Sequence, residues 1–322
     1  MSTSWKLFFR IWIPLASLLT MSACGGGGGG VGSAIPSGST VNGTAAKGLV
    51  KQAQVLVCKI VNGTPEADSS CASTISGNDG SFTVTLLDNY MGPAMIKVMP
   101  GTASMMLDET SGNYIPYNMT MRAMVPEVSA STTVYVTPFS EMAASAVGMT
   151  NIDSGKIIQA IATVQTLMAG MGVDLGVMPL PDLMKNGSDP TMLGKQSNMT
   201  KQLARVMLAA KEASSLKDSN GTPCNAAGTS TTQQITCVIN EMNSLMTSVA
   251  TTDQTKAAVV INALNSQNIT AVYMPIIRAD GTLDIELVDM TSSQSMQAAM
   301  QNAGMMSSLS ANAVNIMMQG MY

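Results

Sequence analysis

The hydrophobic pattern of this chain changes character at Thr137. Before Thr137, short apolar and β-branched runs are separated by polar turns, and we predict strands at 54–61, 81–87, 94–99 and 132–136. After Thr137, apolar residues recur three or four positions apart, which is the spacing of a helix with one buried face. A chain that places its strands first and its helices second is expected to fold as an α+β protein.

Turn signals support a small β-sandwich in the first half. Asn78-Asp79-Gly80 stands directly before the run 81–87, and this type of sequence favours a tight turn between two strands. Several short strands separated by such turns are typical of a sandwich. We therefore predict a β-sandwich domain over 45–136 and a mainly helical domain over 137–322.

The helical domain is predicted to begin at a cap. Thr137 can cap a helix, Pro138 suits its first turn, and the charge of Glu141 favours the positive end of the helix. Asp153 is expected to cap the next helix. The four predicted apolar stripes are Ile157, Ile161, Val164, Met168 and Met171, then Leu203, Val206, Met207 and Ala210, then Ile235, Val238, Met242, Leu245 and Val249, then Ala257, Val260, Ile261 and Leu264.

Two further elements are expected near the end of the chain. The turn sequence Ala279-Asp280-Gly281 lies between two strand-like runs, so a β-hairpin is predicted at 271–288. A last helix is predicted over 292–319.

The composition excludes several functional classes. The 322 residues include no histidine, which removes Ser-His-Asp triads, Cys-His dyads and His-ligated metal sites on this chain alone. The 16 basic and 20 acidic residues give a net charge of −4 without a basic stripe, so we expect no nucleic-acid partner. A hydrophobic content of 46% with low net charge is enough to form a core, which argues against disorder.

The first 23 residues have the composition of an export signal. Lys6 and Arg10 form a positive segment, and the apolar stretch 11–19 that follows is too short to span a bilayer. We therefore predict a signal peptide at 1–23.

The end of this segment, Met21-Ser22-Ala23-Cys24, resembles a bacterial lipobox, with Met21 where the lipobox usually has Leu. The resemblance implies that Cys24 carries a diacylglyceryl thioether and an N-acyl chain such as palmitate, which anchors the protein to a membrane. In lipoproteins, Asp directly after the lipidated cysteine signals retention in the inner membrane. This chain has Gly25 at that position, which implies the outer membrane. The alternative is an ordinary secretory signal followed by a coincidental cysteine.

The segment after Cys24 is predicted to be a tether. An uninterrupted glycine run, 25–30, is followed by a Gly-, Ser- and Thr-rich stretch, a composition typical of a flexible coil. We place the tether at 24–44.

Four cysteines remain once Cys24 is lipidated: Cys58, Cys71, Cys224 and Cys237. An even number in an exported protein predicts two disulfides, for which three pairings exist. We favour Cys58–Cys71 and Cys224–Cys237, because each pair then falls within one predicted domain. The chain has no C-x-x-C spacing to favour the alternative of a redox pair or a thiolate metal site.

Three segments of the first domain resemble carboxypeptidase regulatory-like, or transthyretin-like, domains. These are Gly-Thr-Ala-Ala-Lys-Gly-Leu-Val-Lys-Gln-Ala-Gln-Val at 43–55, Gly-Asn-Asp-Gly-Ser-Phe-Thr-Val at 77–84, and the stretch 89–98. The resemblance covers about 45–100 and implies a prealbumin-like sandwich that serves as an accessory module without catalytic residues.

The run 137–143 is similar to the opening of the helical region in many bacterial lipoproteins of largely unassigned function.

Methionine is unusually frequent, with 30 residues. Clustered thioethers can bind Cu(I) or Ag(I), and this is one alternative function. The simpler interpretation is that methionine fills the core on the helical stripes. The C-terminal cluster consists of Met296, Met300, Met305, Met306, Met317, Met318 and Met321.

Two patterns in the sequence resemble parts of catalytic sites. Ser214-Ser-Leu-Lys217 matches the S-x-x-K of penicillin-recognising enzymes, but the companion S-D-N and K-T-G motifs are missing. Asp284, Glu286 and Asp289 could supply paired carboxylates for an envelope hydrolase, the second alternative function. Asp79 and Asp174 lack the run of alternating acidic residues that a calcium loop requires.

The sequence therefore predicts a membrane-anchored envelope lipoprotein with a non-catalytic binding or structural role. The expected partner of the lipid anchor is the membrane. The candidate partner of the folded body is an envelope protein or a polysaccharide. No catalytic residue, metal ligand or cofactor is assigned.

Overall fold

Along the described chain the N-terminal strands precede the helices and a late β-hairpin follows them, as the sequence predicts. The computed structural model describes residues 38–170, 190–251, 254–277 and 282–291. Its strands are β1 Ser39–Ala45, β2 Val50–Lys51, β3 Gln54–Val61, β4 Thr64–Pro65, β5 Ala72–Ile75, β6 Ser81–Leu86, β7 Ala94–Met99, β8 Met105–Leu107, β9 Tyr114–Pro116, β10 Met121–Val125, β11 Ser131–Val136, β12 Ala271–Ile277 and β13 Leu283–Asp289. Its helices are α1 Pro138–Val147, α2 Ser154–Gly170, α3 Pro190–Glu212, α4 Thr231–Thr251 and α5 Gln254–Asn265. The fold is α+β.

Two sheets form a β-sandwich. One has the strand order β11-β1-β6, with β1 parallel to β11 and antiparallel to β6. The other has the order β10-β7-β3-β4, and β5 also pairs with β3. Residues Phe82, Val84 and Leu86 alternate with more exposed neighbours along β6, so one face of that strand enters the core. A small third sheet, β2-β8-β9, adjoins the sandwich along the chain.

Strand β3 is buried on both faces. Successive residues from Val55 to Cys58 are buried instead of alternating with exposed ones. One face joins the sandwich core, while Ile60 near the strand's end packs with Ala144 and Ile157 from α1 and α2. The helices therefore cover the outer face of this sheet, which is why its central strand is a continuous apolar run.

The first strand begins inside the segment predicted to be a tether. β1 starts at Ser39, so residues 39–44 belong to the sandwich and the tether prediction of 24–44 extends too far. Position 43 of this strand requires glycine, because a Cβ there would lie 2.1 Å from the carbonyl oxygen of Val134 and 2.5 Å from the ring of Phe82. A composition that is typical of a coil is thus used for close strand packing.

The predicted helix caps are confirmed. Thr137 and Ser140 form a reciprocal capping box at the start of α1, with Pro138 in the first turn. At the start of α2, Asp153 accepts a hydrogen bond from the backbone N–H of Lys156 at 2.8 Å.

The apolar stripes are also confirmed where the structure describes them. Buried stripe residues are Ile157, Val164, Met168, Leu203, Val206, Met207, Ala210, Ile235, Val238, Met242, Leu245, Val260 and Leu264. Ile161 and Ile261 are half-buried and pack against the same core. The predicted stripe residues Met171, Val249 and Ala257 lie outside the residues whose side chains are described.

The sandwich and the helices share one hydrophobic core. Val41 and Val57 from the sheets belong to the same buried cluster as Phe139 from α1, Leu203 from α3 and Leu245 from α4. The strands before Thr137 and the helices after it therefore pack around the same core. The boundaries 45–136 and 137–322 stay predictions.

Both disulfides occur in the favoured local pairing. Cys58 is bonded to Cys71, and Cys224 is bonded to Cys237, each across 13 positions of sequence. Closing a loop of this length stabilises the folded state by about 3 kcal/mol in the chain-entropy model. The first bond joins β3 to the segment that precedes β5, and the second joins α4 to the loop before it.

The predicted hairpin is confirmed as β12 and β13. The backbone N–H of Tyr273 donates to the carbonyl of Glu109 at 2.8 Å, which ties the hairpin to the loop between β8 and β9. Gly112 in that loop has φ +72°, and a Cβ there would lie 2.6 Å from the ring of Tyr273. The turn at 279–281 and the last helix at 292–319 lie outside the described residues.

Among the helices that the structure describes, none has both the length and the apolar character needed to cross a bilayer.

Candidate functional site

A cleft of about 190 Å³ opens between two strands and two helices. The strands are β10 and β11, and the helices are α1 and α2. The lining residues are Ala123, Met124, Val125, Pro126, Glu127, Thr132, Thr133, Val134, Tyr135, Ser140, Ala143 and Ile161. The lining is mainly apolar, with a few hydroxyl groups, which is the usual character of a ligand site in a protein.

The walls of the cleft are edge strands of two different sheets. β10 ends the sheet β10-β7-β3-β4, and β11 ends the sheet β11-β1-β6. The two strands are consecutive in the chain, and Pro126 and Glu127 from their connection line one end of the cleft. The gap exists because the chain leaves one sheet at Val125 and joins the other at Ser131.

Helix α1 is held against β10 by a buried carboxylate. Glu141, 4% exposed, accepts hydrogen bonds from the backbone N–H of Arg122 at 2.6 Å and from the guanidinium of the same residue at 3.0 and 3.1 Å. Ser140 donates to the carbonyl of Arg122 at 2.9 Å. Glu141 was predicted only to favour the helix N-terminus. In the structure it fixes α1, and with it Ala143 in the cleft, to the sandwich.

The polar groups of the cleft suit binding better than catalysis. Among the described residues, Glu127 is the only charged residue in the lining, and it is exposed. Glycoside hydrolysis requires two carboxylates across the substrate, which one residue does not supply. The hydroxyl of Ser140 is engaged in the capping box and with Arg122.

The S-x-x-K residues do not form a nucleophile site. Ser214 and Lys217 are both exposed, in the irregular segment after α3. A lysine that activates a serine has to be desolvated, and Lys217 is not.

The three acidic residues of the hydrolase hypothesis are spread along β13. Asp284 faces Ile276, Glu286 faces Met274 and Asp289 faces Ala271 in the register with β12, and all three acids are half-buried. Asp289 accepts hydrogen bonds from the backbone N–H and the hydroxyl of Thr291. The hydrolase remains a prediction.

The described residues that could bind a metal have structural roles instead. Asp79 accepts hydrogen bonds from the backbone N–H and hydroxyl of Ser81, so it shapes the turn before β6. Cys58, Asp68 and Cys71 bring three potential ligand atoms within 4.8 Å, but both sulfurs belong to a disulfide and cannot act as thiolate ligands. Asp174 and the C-terminal methionine cluster lie outside the described residues.

A buried charge network was not predicted from the sequence. Lys47, 0% exposed, donates to Oε2 of Glu109 at 3.1 Å and to the carbonyl of Leu203 at 3.3 Å. Nearby, Lys211 donates to Asp108 at 2.6 Å. The network joins the turn after β1, the β8–β9 loop and α3. Its partners are 62, 156 and 103 positions apart, so no local pattern identifies them.

Asp108 has a strongly perturbed acidity. Burial by itself raises the pKa of this carboxyl, but hydrogen bonds from Lys211, Thr110 and Ser111 outweigh burial and lower the pKa from about 3.8 to about 2. Because the folded pKa lies below the unfolded one, the ionised carboxylate stabilises the fold above pH 4.

We expect this stabilisation to be lost as the pH falls from about 4 to about 2, since Asp108 then binds a proton more readily in the unfolded chain. The Asp108→Asn variant has no titratable group at position 108, so its urea midpoint should fall less than that of the wild type over this interval. Equal slopes of midpoint against pH for the two proteins would contradict the assignment.

Comparisons of this chain with protein families, with curated proteins and with solved structures give no match.

Proposed function

We propose that this protein is an outer-membrane lipoprotein, anchored through lipid on Cys24, whose folded body binds a partner in the cleft between β10 and β11. The role is non-catalytic. The partner class is an envelope protein or a polysaccharide. The observation that carries the proposal is a mainly apolar cleft that is lined by hydroxyls and one carboxylate, on a body that follows a lipobox-like sequence and a glycine run.

The sequence around Cys24 supports the anchor. The order of positive segment, apolar stretch, two small residues and cysteine is that of a lipoprotein signal. The diacylglyceryl group and the N-acyl chain together satisfy the need for more than one chain in stable membrane attachment. The glycine run 25–30 allows the body to stand away from the membrane surface.

The size and chemistry of the cleft support binding of part of a larger molecule. Its volume of about 190 Å³ is below the range of roughly 300–1,000 Å³ that encloses a whole small-molecule ligand. A short stretch of a polymer, with the remainder in solvent, fits this volume. Ala143 and Ile161 offer apolar contacts, and Thr133 offers a hydroxyl, while the hydroxyl of Thr132 accepts a hydrogen bond from the backbone N–H of Ser129.

Membrane fractionation tests the anchor. We expect the wild-type protein to co-sediment with outer-membrane markers and the Cys24→Ser variant to leave that fraction, because serine offers no thiol for the thioether. Met21→Leu is the matched control, since it restores the usual lipobox residue and should keep the protein in the outer membrane. Outer-membrane sedimentation of the Cys24→Ser variant would overturn the anchoring proposal.

A further inference from the structure

We propose that the partner bound in the cleft is an extended peptide, which adds as a β-strand beside Thr133 at the edge of β11, with Met124 of β10 on the opposite side of the cleft. This inference rests on the proposed binding function of the same cleft and names the class of its ligand. It follows from the backbone groups that the two edge strands direct into the cleft.

The free edge of β11 offers one donor and one acceptor at Thr133. The carbonyls of Ala130 and Val136 accept from the backbone N–H groups of Thr40 and Ala46 in and after β1. Even-numbered residues of β11 therefore point their backbone groups at β1, and odd-numbered residues point theirs away. Thr133 is an exposed odd-numbered residue that lines the cleft.

The edge of β10 is open only at Met124. The backbone N–H and carbonyl of Arg122 are bonded to Glu141 and Ser140, and the carbonyl of Pro126 accepts from Ser154 at 2.6 Å. Both residues therefore point away from β7. By alternation, Met124 between them also directs its N–H and carbonyl outward, and Met124 lines the cleft.

The floor of the cleft selects side chains. A strand laid along β11 turns every second side chain towards Ala143 and Ile161, which lie on the helical side. Ile158 stands one helical turn before Ile161 and is 56% exposed, which extends the apolar surface along α2. Glu127 at one end is exposed and acidic. The favoured peptide alternates small apolar and polar residues and has a basic residue near Glu127.

A peptide fits these observations better than an acyl chain. An acyl chain could fill the apolar floor, but it has no groups for the backbone N–H and carbonyl of Thr133. Covering these groups without hydrogen bonds carries a desolvation cost. A peptide strand pairs with them, which is the usual mode of strand addition at a sheet edge.

The test measures binding of a fluorescein-labelled peptide, Lys-Val-Thr-Val-Thr-Val, to the full-length protein in detergent by fluorescence anisotropy. We expect Thr133→Pro to weaken binding at least tenfold, because proline removes the N–H from the free edge while the bonds to β1 remain. Thr133→Ala is the matched control. It removes the hydroxyl and keeps the N–H, so it should weaken binding clearly less than Thr133→Pro does, and the difference between the two variants measures the contribution of the backbone hydrogen bond.

A second comparison does not depend on the folding of the proline variant. The same peptide with N-methyl groups at alternate residues has no backbone N–H groups along one of its edges. If that edge faces Thr133, the methylated peptide should not bind the wild-type protein. Ala143→Leu, which fills the floor, should abolish binding of the unmodified peptide. Equal binding of the methylated and unmodified peptides would overturn strand addition.

A fluorescent fatty acid separates the alternatives. If the fatty acid binds, loses binding in Ala143→Leu and the peptide does not bind, the peptide proposal is wrong and the cleft binds acyl chains. If neither probe binds, the binding role of the cleft is overturned as well. The anchor is judged separately, since Cys24→Ser fractionation does not depend on the cleft.

Discussion

Replacing Lys47 with methionine is expected to lower the free energy of unfolding by about 3–5 kcal/mol. Lys47 and Glu109 form an ion pair whose side chains are 0% and 1% exposed, and Lys47 also donates to the carbonyl of Leu203. The variant leaves the carboxylate of Glu109 buried without its cation. Oε1 of Glu109 accepts no hydrogen bond among the described residues, so little else compensates the charge.

The double variant Lys47→Met with Glu109→Leu provides the control. It removes both charges and fills the site with apolar atoms of similar size, so we expect it to recover most of the loss. The measurement is urea unfolding with both disulfides intact. A loss below about 1 kcal/mol in the single variant, the value of a surface pair, would contradict the buried arrangement. The arrangement would also be contradicted if the stability loss of the double variant equalled the sum of the losses in the Lys47→Met and Glu109→Leu single variants.

Replacing Glu141 with alanine is the second large effect, with an expected loss of about 3 kcal/mol. The carboxylate is 4% exposed and accepts from both the backbone and the guanidinium of Arg122. Its removal breaks the attachment of α1 to β10 and leaves the backbone N–H and the guanidinium of the half-buried Arg122 without their acceptor. Because α1 forms the floor of the cleft, peptide binding should weaken as well.

Glu141→Gln is the matched variant for this prediction. Glutamine keeps the shape and one carbonyl acceptor, so it should retain the bond to the backbone of Arg122 and lose mainly the charge. We expect its stability to lie between those of the wild type and Glu141→Ala. A Glu141→Ala urea midpoint equal to that of the wild type would show that the carboxylate does not fix the helix.

Local patterns predict the elements of this fold because each element depends on neighbouring residues. The capping box at Thr137, the cap at Asp153 and the apolar stripes all involve residues within a few positions of one another. The same holds for the hairpin at 271–288, and each disulfide spans only 13 positions. These features were therefore accessible to reasoning from the sequence.

The candidate site was not predicted, because it depends on which sheet each strand joins. The strand near 132–136 was expected, but nothing in its residues indicates that Thr133 faces an open edge beside β10. The Lys47–Glu109 pair was missed for a similar reason, since its partners lie 62 positions apart. The end of the tether was misplaced because glycine at position 43 serves close packing in β1 and not flexibility.

The most direct test of the central proposal is the mass of the N-terminal peptide of the protein extracted from outer membranes. We predict that the mature chain begins at Cys24 and that this residue carries a diacylglyceryl thioether and an N-acyl chain. An unmodified Cys24, or a mature chain that begins at another residue, would contradict the account.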